Sequence, residues 1–265
     1  MPMFRLAQRG LAAAVMILAA AALPAAAQQQ SEPTEVPESL SGPFDANETK
    51  AIQGIIRDYL LENPEVIMEA VEILRERQRQ AEAQQREGAI KAHKAALTDP
   101  GPLPVLGNPD GDVTIVEFFD YRCPYCRSVA DDLMETVEAD GNVRLVMKEY
   151  PILGEESVAA ARVAIATAAQ GKYAEFHHTL LTEVRDISGE KALKLAESMG
   201  LDMDKLKADM NDTWVDEELR RTFSLAQALS VSGTPAFIVG NKMAPGAVPA
   251  ERLKQMIAQA RKQQS

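Results

Sequence analysis

Apolar positions recur along this chain with two different periods, and the change from one to the other divides it. Ile52, Ile55, Ile56, Tyr59 and Leu60 fall at i, i+3, i+4, i+7 and i+8, the single stripe of an amphipathic helix. Asp45 or Asn47 is placed to cap its start. Asn63-Pro64 then interrupts the pattern, with Asn63 able to cap and Pro64 able to open a second helix, since a helix start needs no donor from its first residue. The second helix begins amphipathic, with Ile67, Ala70, Val71 and Leu74, and turns polar on every face from Arg75 to Glu87. A helix without an apolar face packs on nothing, so this stretch is predicted to bridge solvent, with Gly88 as a candidate hinge. At about 1.5 Å per residue, residues 64–97 would reach on the order of 50 Å.

Two short stripes cannot build a core of their own. Either they fold back on the downstream domain or they pair with copies of themselves, and the solvated stretch behind them favours self-association. The pattern permits a dimer, trimer or tetramer.

From about Pro102 the period shortens. Asn108-Pro109-Asp110-Gly111 is a turn signal, and Val113–Phe119 reads as a buried strand. Residues 143–147 form a second strand and 235–239 a third, which 242–244 can join across Gly240-Asn241. Between them lies a long helical stretch, with periodicity over 157–170, 174–181, 191–199 and 217–229, and residues 251–259 close the chain as a helix. This order makes an α/β layer. Met199, Met203 and Met210 are helix-spaced core candidates, and Trp214 suits a helix junction.

Composition narrows the setting. Arg5 and Arg9 precede an uncharged apolar stretch over 11–23, and Ala25-Ala26-Ala27 supplies a small-residue cleavage site. This is the pattern of a cleavable secretory signal, a retained membrane anchor being the alternative. Residues 28–42, rich in Gln, Glu, Ser and Pro, form an expected disordered leader. The formal net charge of -11 becomes -13 once Arg5 and Arg9 leave with the signal, which makes nucleic acid a poor partner. The chain has two cysteines, Cys123 and Cys126, in the run Cys123-Pro124-Tyr125-Cys126 directly after the first strand. An i, i+3 pair closes too short a loop to be a staple, so the sulfurs serve reactivity or a metal. Placed at a strand-to-helix turn, Cys123 meets the positive end of a helix, where a thiolate is favoured and solvent reaches it. Cys126, one turn inward, is expected to hold its proton more firmly. Adjacent His177-His178 point in different directions, which argues against a shared metal and for surface or partly packed rings.

The run Val116-Glu117-Phe118-Phe119-Asp120-Tyr121-Arg122-Cys123-Pro124-Tyr125-Cys126, followed far downstream by Gly233-Thr234-Pro235-Ala236-Phe237, resembles the DsbA-type thioredoxin-fold proteins. The helical stretch between the two motifs is similar to the insertion those proteins carry. The N-terminal helices, with Leu61-Glu62-Asn63-Pro64-Glu65 at their junction, resemble the suppressor-of-copper-sensitivity branch, ScsC, some members of which are trimeric disulfide isomerases. The resemblance implies an α/β thioredoxin fold with a helical insertion, preceded by an N-terminal helical oligomerisation stalk. On that reading residues 1–27 are a signal peptide and 28–44 a leader. Residues 45–97 are then the oligomerisation segment and linker, and 98–265 a catalytic domain with its insertion at about 151–230.

The resemblance further implies a periplasmic thiol-disulfide exchange enzyme, a disulfide isomerase acting on misfolded or disulfide-containing secreted proteins. It needs no cofactor, works with a membrane redox partner such as a ScsB-like reductase, and forms a homo-oligomer, a trimer being favoured. Cys123 attacks and Cys126 resolves, the two forming the redox-active disulfide. Glu117 stands where DsbA-type proteins place a buried acid beneath the pair and would shuttle the proton of Cys126, although a solvated strand glutamate has the same local pattern. Pro235 is cis in the resembling proteins and faces the disulfide, and Thr234 offers its backbone to an extended substrate peptide. By itself Pro235 would only mark a strand boundary. Pro124 and Tyr125 tune the thiolate and border the substrate without fixing the redox direction. Two alternatives stand beside this: a DsbA-like dithiol oxidase, and a copper-binding periplasmic protein holding Cu(I) between Cys123 and Cys126. No methionine or histidine cluster adjoins the pair to strengthen such a site.

Overall fold

The computed structural model describes residues 44–264. The expected signal and nearly all of the leader lie outside the described residues. The described residues fall into two units that divide between Val66 and Ile67.

In the first unit α1 (Ala46–Glu62) opens with a reciprocal cap. Asp45 Oδ1 accepts from the backbone N–H of Asn47 at 2.8 Å and of Glu48 at 2.9 Å, and Glu48 Oε2 accepts from Asp45 N at 2.8 Å. Asn63 is the C-cap of α1, both its backbone N–H and its side-chain amide donating to Tyr59 O, while its own carbonyl accepts from Val66 N at the start of the next helix. No residue of α1 is buried. Its predicted stripe stands bare within its own unit, with Ile55 68% exposed.

In the second unit α2 (Glu65–Ala92) runs unbroken through Gly88, so the candidate hinge is ordinary helix. Its polar face is laced by Arg75–Glu72, Arg79–Glu76 and Lys91–Glu87 pairs, which support an exposed helix by a few tenths of a kcal/mol each. The solvent-bridging stretch expected over residues 64–97 stops short of its end. Ile90, and Leu97 from the short α3 (Lys94–Thr98), are buried among Val116, Phe118, Val146 and Ile238.

Five strands come next, in the order β1-β3-β2-β4-β5. They are β1 (Leu106–Gly107), β2 (Val113–Phe119), β3 (Val143–Glu149), β4 (Ala236–Val239) and β5 (Lys242–Pro245). Only β2 and β3 run parallel, paired from Val113↔Val143 to Phe119↔Glu149, and α4 (Pro124–Asp140) connects them. Alternation along β2 sends Val113, Ile115 and Phe119 to one core and Val116 and Phe118 to the other. The first core is covered by α4 and by α10 (Ala250–Gln264), the second by α3 and the end of α9 (Thr213–Ala228).

The helical insertion comprises α5 (Glu155–Thr167), a 3-10 turn (Ala168–Gln170), α6 (Tyr173–Thr182), α7 (Gly189–Ser198), α8 (Met203–Met210) and α9. Small side chains let α5 and α7 approach closely: a Cβ at Gly189 would come within 2.7 Å of Ala159 Cβ. Met199, Met203, Met210 and Trp214 pack partly buried against the first core. His177 corrects the expectation of a surface or partly packed ring, since it is buried on α6.

Candidate active site

The site is built where β2 ends. Asp120, the next residue, is buried, and its carboxylate gathers four donors. Oδ1 accepts from Arg122 N and Ser157 Oγ, each at 2.8 Å, and Oδ2 from Ile152 N at 2.8 Å and Leu153 N at 2.9 Å. The turn into α4 is thereby tied to the loop after β3 and to the start of α5. Cys123 N donates to Asp120 O at 3.0 Å. Cys123 is the N-cap of α4 with extended backbone (φ -74, ψ 117), and Pro124 takes the first turn, where no helical hydrogen bond is lost.

Both cysteines are unbridged and buried. Cys123 is 4% exposed, more enclosed than the solvent-reached thiol expected from sequence. The Thr234-Pro235 loop before β4 covers it: the peptide bond is cis, and Cys123 Sγ donates to Thr234 O at 3.1 Å. Tyr125 projects outward, 64% exposed. Cys126 is fully buried, and that burial pushes its thiol far up, with the negative charge of Glu117 adding to the effect. Its sulfur therefore holds its proton through the neutral range.

Glu117 sits mid-strand opposite Met147 of β3 and Phe237 of β4. By alternation it shares the face of Ile115 and Phe119, beneath α4. It is 2% exposed, which excludes a solvated strand glutamate. Burial pushes its carboxyl up to about 8, since a charge without water is costly. At neutral pH it is mostly protonated, next to a thiol whose titration it influences.

A second buried constellation, not foreseen from sequence, lies behind Tyr121. Glu149 Oε1 accepts from Tyr121 Oη and Tyr173 Oη, each at 3.0 Å, and Tyr121 Oη lies 3.0 Å from His177 Nδ1. The His177 ring stacks on Tyr173 and meets Phe119 edge-on at 4.8 Å. Burial pushes the Glu149 carboxyl well up and His177 down to about 3, so the His177 ring is neutral at pH 7. The network joins β3, the turn before Cys123 and α6 of the insertion. Among the described residues no group of three His, Cys, Asp or Glu is arranged to hold a metal ion.

A dithiol that opens a helix on a parallel strand pair, closed over by a cis-proline loop, defines a thioredoxin-like protein. Residues 114–258 match the family model of the DSBA-like thioredoxin domain, and the chain belongs to that family of thiol-disulfide oxidoreductases. Residues 48–81 match the Copper resistance protein ScsC N-terminal domain. The expected fold, a thioredoxin fold with a helical insertion behind an N-terminal helical segment, holds.

A thioredoxin-like oxidoreductase from Silicibacter pomeroyi DSS-3 is 45% identical, with a TM-score of 0.61, covering 63% of this chain and 96% of its own. Proteus mirabilis ScsC, in a transitional conformation, is 25% identical with a TM-score of 0.60, covering 83% of this chain and all of its own. The Na(+)/H(+) antiporter NhaA 3 of Salinispora tropica is 30% identical over 164 residues, 61% of this chain and 25% of the antiporter. The chain thus spans about a quarter of the length of the first curated relatives it matches. Among the described residues no helix is long and apolar enough to cross a membrane.

Proposed function

We propose that the protein is a periplasmic disulfide isomerase that reshuffles bonds in misfolded or disulfide-containing secreted proteins. One observation carries the exchange chemistry: a Cys123 thiol held 3.1 Å from Thr234 O, above a buried Cys126 and a buried carboxyl at Glu117. The Cys123 thiolate attacks one sulfur of a substrate disulfide. The substrate S–S bond breaks, a mixed disulfide forms, and the departing substrate thiolate takes up a proton. The mixed disulfide then has two fates. A substrate thiolate can attack it at the substrate's own sulfur, leaving a rearranged substrate bond and restoring the Cys123 thiolate. Alternatively, Cys126 loses its proton to the ionised fraction of Glu117 and attacks Cys123 Sγ, which releases a reduced substrate and leaves a Cys123–Cys126 disulfide. Thr234 would hold the extended substrate backbone, Pro235 would close the site, and Pro124 and Tyr125 would border the incoming chain.

The choice of isomerase over a DsbA-like dithiol oxidase rests on α1. Its bare stripe supports a homo-oligomer, for which a trimer is the favoured number, and several sites facing one space would grip a misfolded chain. A membrane reductase of the ScsB-like class would keep Cys123 reduced. Charged substitutions Ile55→Asp and Ile56→Asp test this without touching Ile90 or Leu97, which are core. Light scattering should show an oligomer that becomes a monomer, with scrambled-ribonuclease reactivation lost and oxidation of reduced ribonuclease retained. A monomeric full-length protein would remove the basis for the isomerase reading. The match of residues 48–81 to a copper resistance protein's domain favours one further reading, Cu(I) held by the two sulfurs. Retention of copper against a competing chelator would establish it.

A further inference from the structure

Beside the dithiol lies a groove of about 420 Å³ whose walls include Arg122, Pro124, Arg127, Arg185 and Asp186. Three guanidinium groups in one groove stand out in a chain with 39 acidic residues against 28 Lys and Arg. Among the described residues, none of the three is ion-paired with a carboxylate. Arg127, one turn into α4, is half-buried and donates to the carbonyls of Val184 and Thr182, which fixes it as a rigid wall. Arg122 is exposed, and its guanidinium donates to Leu153 O at 3.3 Å. Arg185 is exposed at the loop after α6. The single acid of the groove, Asp186, lies 3.9 Å from Lys191 Nζ, which offsets its charge.

The groove is close to the reacting sulfur by construction. Arg122 precedes Cys123 directly, and Arg127 comes four residues after it, a rise of about 6 Å along a helix. An extended peptide advances about 3.3–3.6 Å per residue. Two or three residues of substrate therefore cover the distance from the attacked sulfur to the guanidinium groups. Arginine is also the side chain whose planar fork matches a carboxylate best.

We propose that this groove is a specificity subsite: it takes an acidic side chain two or three residues from the substrate cysteine under attack, and so selects acidic protein segments as exchange partners. This rests on the thiol-disulfide exchange reading above.

The test uses the full-length reduced protein and self-paired disulfide peptides that differ only in Asp or Asn near the cysteine. Peptide thiol release is followed by rapid acid quench, and each rate is divided by that of the same peptide with dithiothreitol, which removes intrinsic reactivity. The acidic peptide should react about 3- to 10-fold faster than the neutral one, the size expected of one or two partly exposed ion pairs. The ratio should fall toward one in high salt. Arg122→Ala should reduce it, and Arg185→Glu should reduce it further or invert it. Lys207→Glu, an exposed charge reversal on α8, should leave the ratio unchanged.

Equal normalised rates for the two peptides would overturn the subsite while leaving the exchange reading intact. An equal response to Lys207→Glu and Arg185→Glu would assign the effect to net charge and overturn it as well. If glutathione disulfide responds to the arginine substitutions and the peptides do not, the groove serves a small anionic thiol and the assignment to protein segments falls. Absence of exchange with every peptide would remove the functional reading together with the subsite.

Discussion

Replacing Glu117 by glutamine should make the reduced protein more stable at pH 8 and slower in exchange at the same time. The carboxyl titrates near 4.5 in an unfolded chain and at about 8 in the folded one, because burial disfavours its charge. Between those values the folded state holds a proton that the unfolded state has released, so stability falls as pH rises through the window. At about 1.4 kcal/mol per pH unit, the whole window corresponds to on the order of 5 kcal/mol, and the part between pH 5 and pH 8 to roughly 3 kcal/mol. Glutamine keeps the shape and cannot ionise. Urea unfolding of the reduced protein at the two pH values should therefore give midpoints that nearly coincide at pH 5 and separate in favour of Glu117→Gln at pH 8. The variant should meanwhile resolve a mixed disulfide on the order of a hundredfold more slowly, the usual weight of a lost general base. A stability difference that is the same at both pH values would refute the reasoning, since it would mean that residue 117 ionises like an exposed carboxyl.

Cys126→Ser should trap substrate proteins on Cys123 as stable mixed disulfides, visible on non-reducing gels, because serine cannot displace the bound sulfur; rapid release without added thiol would contradict the resolving role. Asp120→Ala strands four donors that now meet one carboxylate, Ser157 Oγ fully buried and three backbone N–H groups part-buried, and an unmet buried group costs about 1–3 kcal/mol. A loss of about 3 kcal/mol or more is therefore expected in urea unfolding, and a loss below about 1 kcal/mol would show that water replaces the carboxylate easily.

Much of the frame is legible from spacing. The strand over residues 113–119, the break at Asn63-Pro64 and the turn at Gly240-Asn241 all appear where periodicity and turn residues place them. What escaped has physical causes. The second strand runs on to Glu149 because Lys148 and Glu149 are polar side chains with hydrogen-bond partners across the fold: Lys148 Nζ donates to Asp99 O at 2.6 Å, and Glu149 accepts from two tyrosines. No local pattern reveals partners so distant in sequence. Strand β1 has two residues, one of them glycine, and offers no period at all. The burial of His177 was readable. Tyr173, Phe176, His177, Leu180 and Leu181 recur at the same i, i+3, i+4, i+7, i+8 spacing that identified α1, and all five are buried; the adjacent histidine pair masks the stripe. Asp120 left no signal beyond standing at a strand end, since its donors lie 32 or more residues away except for Arg122.

Buried charge alone does not separate the site from the scaffold, because both faces of the sheet carry it. Beside the second core, Lys148 is pushed down to about 8 by burial with the nearby Arg221 adding. It gives a hydrogen bond to Asp99 O, while Glu218 is clasped by Arg221 at 2.7 Å. Those charges answer one another, as charges do in a structural pair. Glu117 is different: burial accounts for its displacement, and the buried group on which its own charge acts is the thiol of Cys126. A sequence that places glutamate among Val116, Phe118 and Phe119 in a fully buried strand breaks the local rule with no compensating partner in the scaffold. Such an exception persists where chemistry uses it. The distinction between a structural and a reactive buried acid therefore lies less in how far its titration is displaced than in what stands next to it.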